Sequence, residues 1–73
     1  MRVYKVIDKI KVGYNTAIVI DDRAIGFKNG SIILSENNKA YKVISIGTLL
    51  SVNRVAVLIE GDFKAKYFRV KTN

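Results

Sequence analysis

The 73 residues carry 13 Lys and Arg against 6 Asp and Glu, a formal net charge of +7, and include no Cys, His, Pro or Trp. A chain this short buries only roughly 60% of the surface it exposes when unfolded, so a single domain spanning residues 1–73 is expected. The missing residue types exclude a disulfide framework, a thiol nucleophile, a thiolate metal site and an imidazole ligand or general base.

Val, Ile and Thr supply 22 of the 73 residues, and their restricted χ1 suits a pleated surface. The spacing predicts a first strand over Arg2 to Val12, with Tyr4, Val6, Ile10 and Val12 on one face and Val3, Lys5, Ile7, Lys9 and Lys11 on the other. Asp8 interrupts the apolar face, which points to a bulge or an edge position near it. Gly13, Tyr14 and Asn15 form a short connection, with Gly13 placed for positive φ, and Thr16 to Ile20 reads as a strand apolar on both faces. Asp21 to Gly30 is turn-rich, contains Gly26, and ends in Asn29-Gly30, a dipeptide suited to a type I′ turn. Ser31 to Ser35 is a short strand joined through Glu36 to Lys39 to Ala40 to Ile46, in which Tyr41, Val43 and Ser45 alternate against Lys42, Ile44 and Ile46. Gly47 to Asn53 suits a loop or a single helical turn. A fifth strand covers Val55 to Glu60, Gly61-Asp62 is a turn, and a sixth strand runs from Lys66 to Lys71 with Tyr67, Arg69 and Lys71 opposite Phe68 and Val70.

No stretch sustains the apolar spacing of a long amphipathic helix. About six short strands, with turns every eight to twelve residues or so, predict an all-β fold: a small single-domain β-barrel of mainly antiparallel strands. Closure has a physical reason, since an open sheet of this size leaves two edges and an uncovered apolar face. The longest apolar runs, such as Ala17 to Ile20 and Val55 to Ile59, fall far short of the roughly 20 residues of a membrane-spanning helix. With no secretory signal pattern, the expected location is cytoplasmic, away from membranes.

Little in the chain suggests chemistry. Asp21-Asp22 is the most prominent acidic feature, but neighbouring strand residues point to opposite faces, and Arg23 stands beside them as a partner. Glu60-Gly61-Asp62 reads as a hairpin turn. Gly26-Phe27-Lys28-Asn29-Gly30 lacks the Gly-Lys-Ser/Thr sequence and the following helix of a phosphate-binding loop. A non-enzymatic chain with no catalytic residue, metal or cofactor is therefore expected.

The positive charge is concentrated. Lys64, Lys66, Arg69 and Lys71 fall within nine residues that include Phe63, Tyr67 and Phe68 and no acid. Cations displace counterions from phosphates and exposed rings stack on bases, so this interleaving suits nucleic acid. Lys5, Lys9 and Lys11 make a second basic row, which joins the first if the terminal strands pair. Lysines on exposed strands also discourage edge pairing, and Arg54 and Lys42 read as scattered surface charges.

The strand and glycine pattern resembles the second-domain β-barrel of translational GTPases such as elongation factor Tu. The likeness is carried by Tyr4 to Val12, by Gly13 with Thr16-Ala17-Ile18-Val19, by Gly26 to Ser31, by Tyr41-Lys42-Val43-Ile44-Ser45-Ile46 and by Val55 to Gly61. It implies a barrel and contact with ribosomal RNA, without nucleotide hydrolysis, since the GTPase domain has no counterpart here. Asp21-Asp22 stands where that family often has a glycine, and Tyr67-Phe68-Arg69-Val70 replaces its final Arg-Gly turn. Lys66-Tyr67-Phe68-Arg69 also resembles the small basic SH3-like chromatin proteins of archaea. The combined expectation is a basic binding module contacting RNA or a ribonucleoprotein, with DNA as a possible ligand. The alternative is a protein interaction or assembly module in which exposed apolar strands or the Asp21 to Gly30 loop meet a protein and the charge serves solubility.

Overall fold

A computed structural model describes residues 3–21, 26–49 and 54–71. It contains six strands: β1 (Val3–Val12), β2 (Asn15–Ile20), β3 (Ile32–Ser35), β4 (Ala40–Leu49), β5 (Arg54–Ile59) and β6 (Tyr67–Val70). All pairings are antiparallel, and the sheet closes into a barrel in the order β1-β2-β5-β4-β3-β6. The first three residues of the expected Gly47 to Asn53 connection continue β4, and the remaining four lie outside the described residues.

Two long strands close the barrel. The N-terminal half of β1 pairs with β6 and its C-terminal half with β2, while β4 pairs first with β3 and then with β5. Each is bulged at the changeover. Val6 pairs with Ile20 and Asp8 with Val19, leaving Ile7 extra; Val43 pairs with Ile59 and Ser45 with Leu58, leaving Ile44 extra. An extra residue bends the strand and increases its twist, which is what a strand turning from one sheet into the next requires.

The bulges also invert the alternation, and here the expected faces are corrected. Beyond Ile7, Lys9 pairs with buried Ile18 and Lys11 with buried Thr16, so both lysines share the inward side with Tyr4 and Val6. Ile10 and Val12, expected on the apolar face, point outward and are 62% and 49% exposed. In β4 the half-buried Ile46, not Ser45, packs against the core beside Val43.

β2 and β5 alternate strictly, turning Thr16, Ile18 and Ile20 and Val55, Val57 and Ile59 inward. Tyr4, Ile33, Val43 and Phe68 complete the strand contribution, and two connections each insert a phenylalanine, Phe27 and Phe63. Phe68 lies between them, 5.8 Å from Phe27 and 6.2 Å from Phe63 between ring centroids, and stacks on Tyr4 at 5.1 Å. Edge-to-face and offset ring pairs at such spacings contribute about 0.5–1.5 kcal/mol each beyond area burial.

Gly13 has φ +62° and Tyr14 does not share the positive sign, which is the pattern of a type II′ hairpin with glycine at its first central position. Glu36-Asn37-Asn38 is a three-residue hairpin loop, with Asn38 left-handed at φ +63° and its N–H donating to the Ser35 carbonyl. Around Asn29-Gly30 only Gly30 has positive φ, and the Ser31 N–H donates to the Lys28 carbonyl at 3.0 Å. The turn is therefore of type II, not the expected type I′. Gly61 also has positive φ, whereas Gly26 approaches Tyr4, its N–H donating to the Tyr4 hydroxyl at 2.8 Å.

Candidate nucleic-acid interface

The terminal strands pair, with Val3 opposite Arg69, Tyr4 opposite Phe68 and Lys5 opposite Tyr67. Along β6, alternation buries Phe68 and turns Tyr67 and Arg69 outward, with Lys71 exposed just beyond, as the sequence pattern predicts. β3 pairs on the other side of β6, and β4 follows β3. Three outward rows result. Lys5 stands beside Tyr67; Val3, Arg69, Leu34 and Ala40 form the second row; and Lys71, whose N–H donates to the Ile32 carbonyl at 2.8 Å, lies level with Ile32 and Lys42. Rows two residues apart are separated by about 7 Å and neighbouring strands by about 4.8 Å.

This wall of the barrel thus presents Lys5, Arg69, Lys71 and Lys42 with one exposed ring, Tyr67, in the row of Lys5, while Glu36 ends the first row and Glu60, whose N–H donates to the Lys42 carbonyl at 2.9 Å, ends the third. Lys42, read from the sequence as a scattered charge, joins the cluster because β3 places it level with Lys71, two strands away across Ile32. The Arg69 guanidinium donates to the Asn38 side-chain carbonyl at the hairpin tip. Glu36 borders the face, where its Oε1 accepts the Lys66 and Tyr67 N–H groups at 2.8 and 3.2 Å. Those bonds set where β6 begins and hold Tyr67 at the border of a shallow groove lined by Val3, Leu34, Glu36 and Arg69.

The other predicted residues go elsewhere. Lys9 Nζ donates to the carbonyls of Lys64 and Ala65 at 2.8 and 3.2 Å. Lys11 and Lys64 flank the Asp62 carboxylate at 3.6 and 3.4 Å. Desolvation, which raises the Asp62 pKa, is outweighed by the attraction of Lys11 and then Lys64, so the carboxyl is held below its ordinary value. The same segment is anchored by Thr16, whose hydroxyl donates to the Gly61 carbonyl and accepts the Phe63 N–H, while Asn15 Oδ1 accepts the Gly61 N–H. These bonds seat Phe63 as a plug in the barrel end. Lys9, Lys11 and Lys64 therefore belong to the closure of that end, not to the row of Lys5.

Lys66 is exposed beside the Ile7 bulge, in a side groove shared with Lys5 and Tyr67. Of the three aromatic residues in the basic segment, Phe63 and Phe68 are core residues, leaving Tyr67 as the accessible ring. Among the described residues, no helix is long and apolar enough to cross a membrane. Comparison of the chain with protein-family models, with curated proteins and with solved structures finds no match.

Proposed function

We propose that this protein binds nucleic acid, RNA above all, through the outer wall formed by β6, β3 and the N-terminal halves of β1 and β4. The observation that carries this reading is the exposed Tyr67 ring paired with Lys5, with Arg69 in the next row and Lys71 and Lys42 in the row beyond, four cations on one wall against Glu36 and Glu60 at its margins. The cations neutralise phosphates and Tyr67 stacks on an unpaired base, an arrangement tolerant of sequence because every base has a π-face. Unpaired bases are most accessible in single-stranded and looped RNA. The wall is a sheet surface without a projecting helix, so the contacts supply affinity with little base readout.

Anisotropy titration with labelled single-stranded RNA, single-stranded DNA and duplex RNA over a salt series tests the proposal. Four phosphate contacts on a single strand correspond to a log–log salt slope of about −3. Single strands bind more tightly than duplex when Tyr67 stacks. A flat slope, or no binding at low salt, refutes the reading.

A further inference from the structure

The barrel wall opposite the basic one has a different chemistry. On β1 beyond the bulge, β2, β5 and the second half of β4, the outward registers form two rows: Ile10, Ala17, Leu58 and Ser45, and then Asp8, Val19, Ala56 and Gly47. Val12 extends the first edge. Ile10 is 62% exposed, Val12 is 49% exposed, and Ala17, Val19, Ala56 and Leu58 are half-buried. No lysine stands in these registers, although the chain has nine. The charges flanking the apolar centre are Asp8 on one edge, Arg54 and Asp21 at one end, and Glu60, two residues after Leu58, at the other.

We propose that two copies of this chain associate through this wall, sheet against sheet, about a two-fold axis running along the strands. Such an axis reverses the order of the strands while keeping each residue at its level. β2 of one copy then covers β5 of the other, and β1 covers β4. Ala17 meets Leu58 of the second copy, Val19 meets Ala56, and Ile10 meets Ser45. Each bulky side chain faces a small one, and symmetry repeats every contact, as a self-complementary interface requires. The same operation carries Arg54 of each copy toward Asp8 of the other, which makes that end of the margin complementary in charge. Neither a polyanion nor an acidic lipid surface finds a cation on the apolar centre.

The size of the wall indicates the strength of association. Four strands at about 4.8 Å spacing and six residues at about 3.4 Å each give a face of roughly 20 by 20 Å. Two such faces bury roughly 800 Å² together, below the size of standard specific interfaces and in the range of weak, transient ones, so association is concentration-dependent. The two copies carry +7 each, so salt screens their repulsion and tightens the dimer. That sign is opposite to the one expected for phosphate binding, so this proposal and the nucleic-acid proposal stand or fall separately.

Sedimentation equilibrium on nuclease-treated protein, from about 10 μM to about 1 mM, tests the proposal. The expected result is a monomer-to-dimer shift within that range, stronger at about 0.5 M than at about 0.05 M salt. Ile10→Lys and Ala17→Lys should remain monomeric throughout. Ile10 is exposed, so its variant keeps the wild-type circular dichroism and decides the matter even if Ala17→Lys does not fold. A wild type that stays monomeric at the highest concentration overturns the proposal. So does an Ile10→Lys variant that dimerises like the wild type, or a dimer that dissociates as salt is raised.

Discussion

Removing the charges of Lys42 and Lys71 together separates phosphate contact by the basic wall from general attraction by a cationic protein. These lysines share the row through Ile32, and neither has an ion pair among the described residues. Replacing both by Gln leaves Lys5 and Arg69 on the face. For a single strand, each lost phosphate contact lowers the log–log salt slope by about 0.7, so the double variant should fall from about −3 to about −1.5. Relative to 1 M salt, each contact contributes about 0.7 log units at about 0.1 M, so the double variant should bind about 25-fold more weakly there. The control is Lys9→Gln with Lys11→Gln, which removes the same net charge from the barrel end. Its slope should match the wild type once circular dichroism establishes that the fold is retained. Equal slopes for the two double variants would refute the division of the lysines into a binding wall and a structural end, leaving only nonspecific attraction.

Three further outcomes follow from the geometry. Tyr67→Ala should weaken binding to single-stranded RNA by about 1–3 kcal/mol while leaving the salt slope unchanged, because stacking releases no counterions; equilibrium titration at several salt concentrations separates the two effects. Phe63→Ala should cost about 3–5 kcal/mol of stability, most of what a domain this size possesses, and urea denaturation reads the loss directly. Asp62 is depressed in the folded state, so its stabilising contribution is present above the unfolded pKa near 3.8 and is lost as pH falls through the folded value. Asp62→Asn should remove that part of the acid dependence of the thermal midpoint, with only a small change near neutrality, since the carboxylate is exposed.

Much of the architecture is local in origin and legible along the chain. The strict in-and-out pattern of Thr16 to Ile20 and of Val55 to Ile59, and the outward Tyr67 and Arg69 against buried Phe68, follow from the two-residue period of an extended backbone. Glycine and asparagine at turns identify most connections, because few other residues adopt positive φ without cost. Asp8 marked the vicinity of the β1 bulge. What it did not show was that Ile7 is the extra residue, so that every later position changes sides and Lys9 and Lys11 turn toward the barrel end. Nothing local distinguished Phe63 from an exposed stacking ring, because its burial comes from Thr16, 47 residues earlier in the chain.

The sequence by itself determined that the chain forms short antiparallel strands around an aliphatic and aromatic core, because propensity and alternation act between neighbours. The tertiary structure alone decided which charges stand together. Lys5, Tyr67, Arg69, Lys71 and Lys42 become one surface only because β1 meets β6, β6 meets β3 and β3 meets β4. The wall of Ile10, Ala17, Val19 and Leu58 is free of lysine only because the bulge at Ile7 inverts the alternation of β1. Both depend on closure, a long-range demand that the strands bend at their corners to remove their edges, and the alternation of adjacent residues carries no record of where that bend falls.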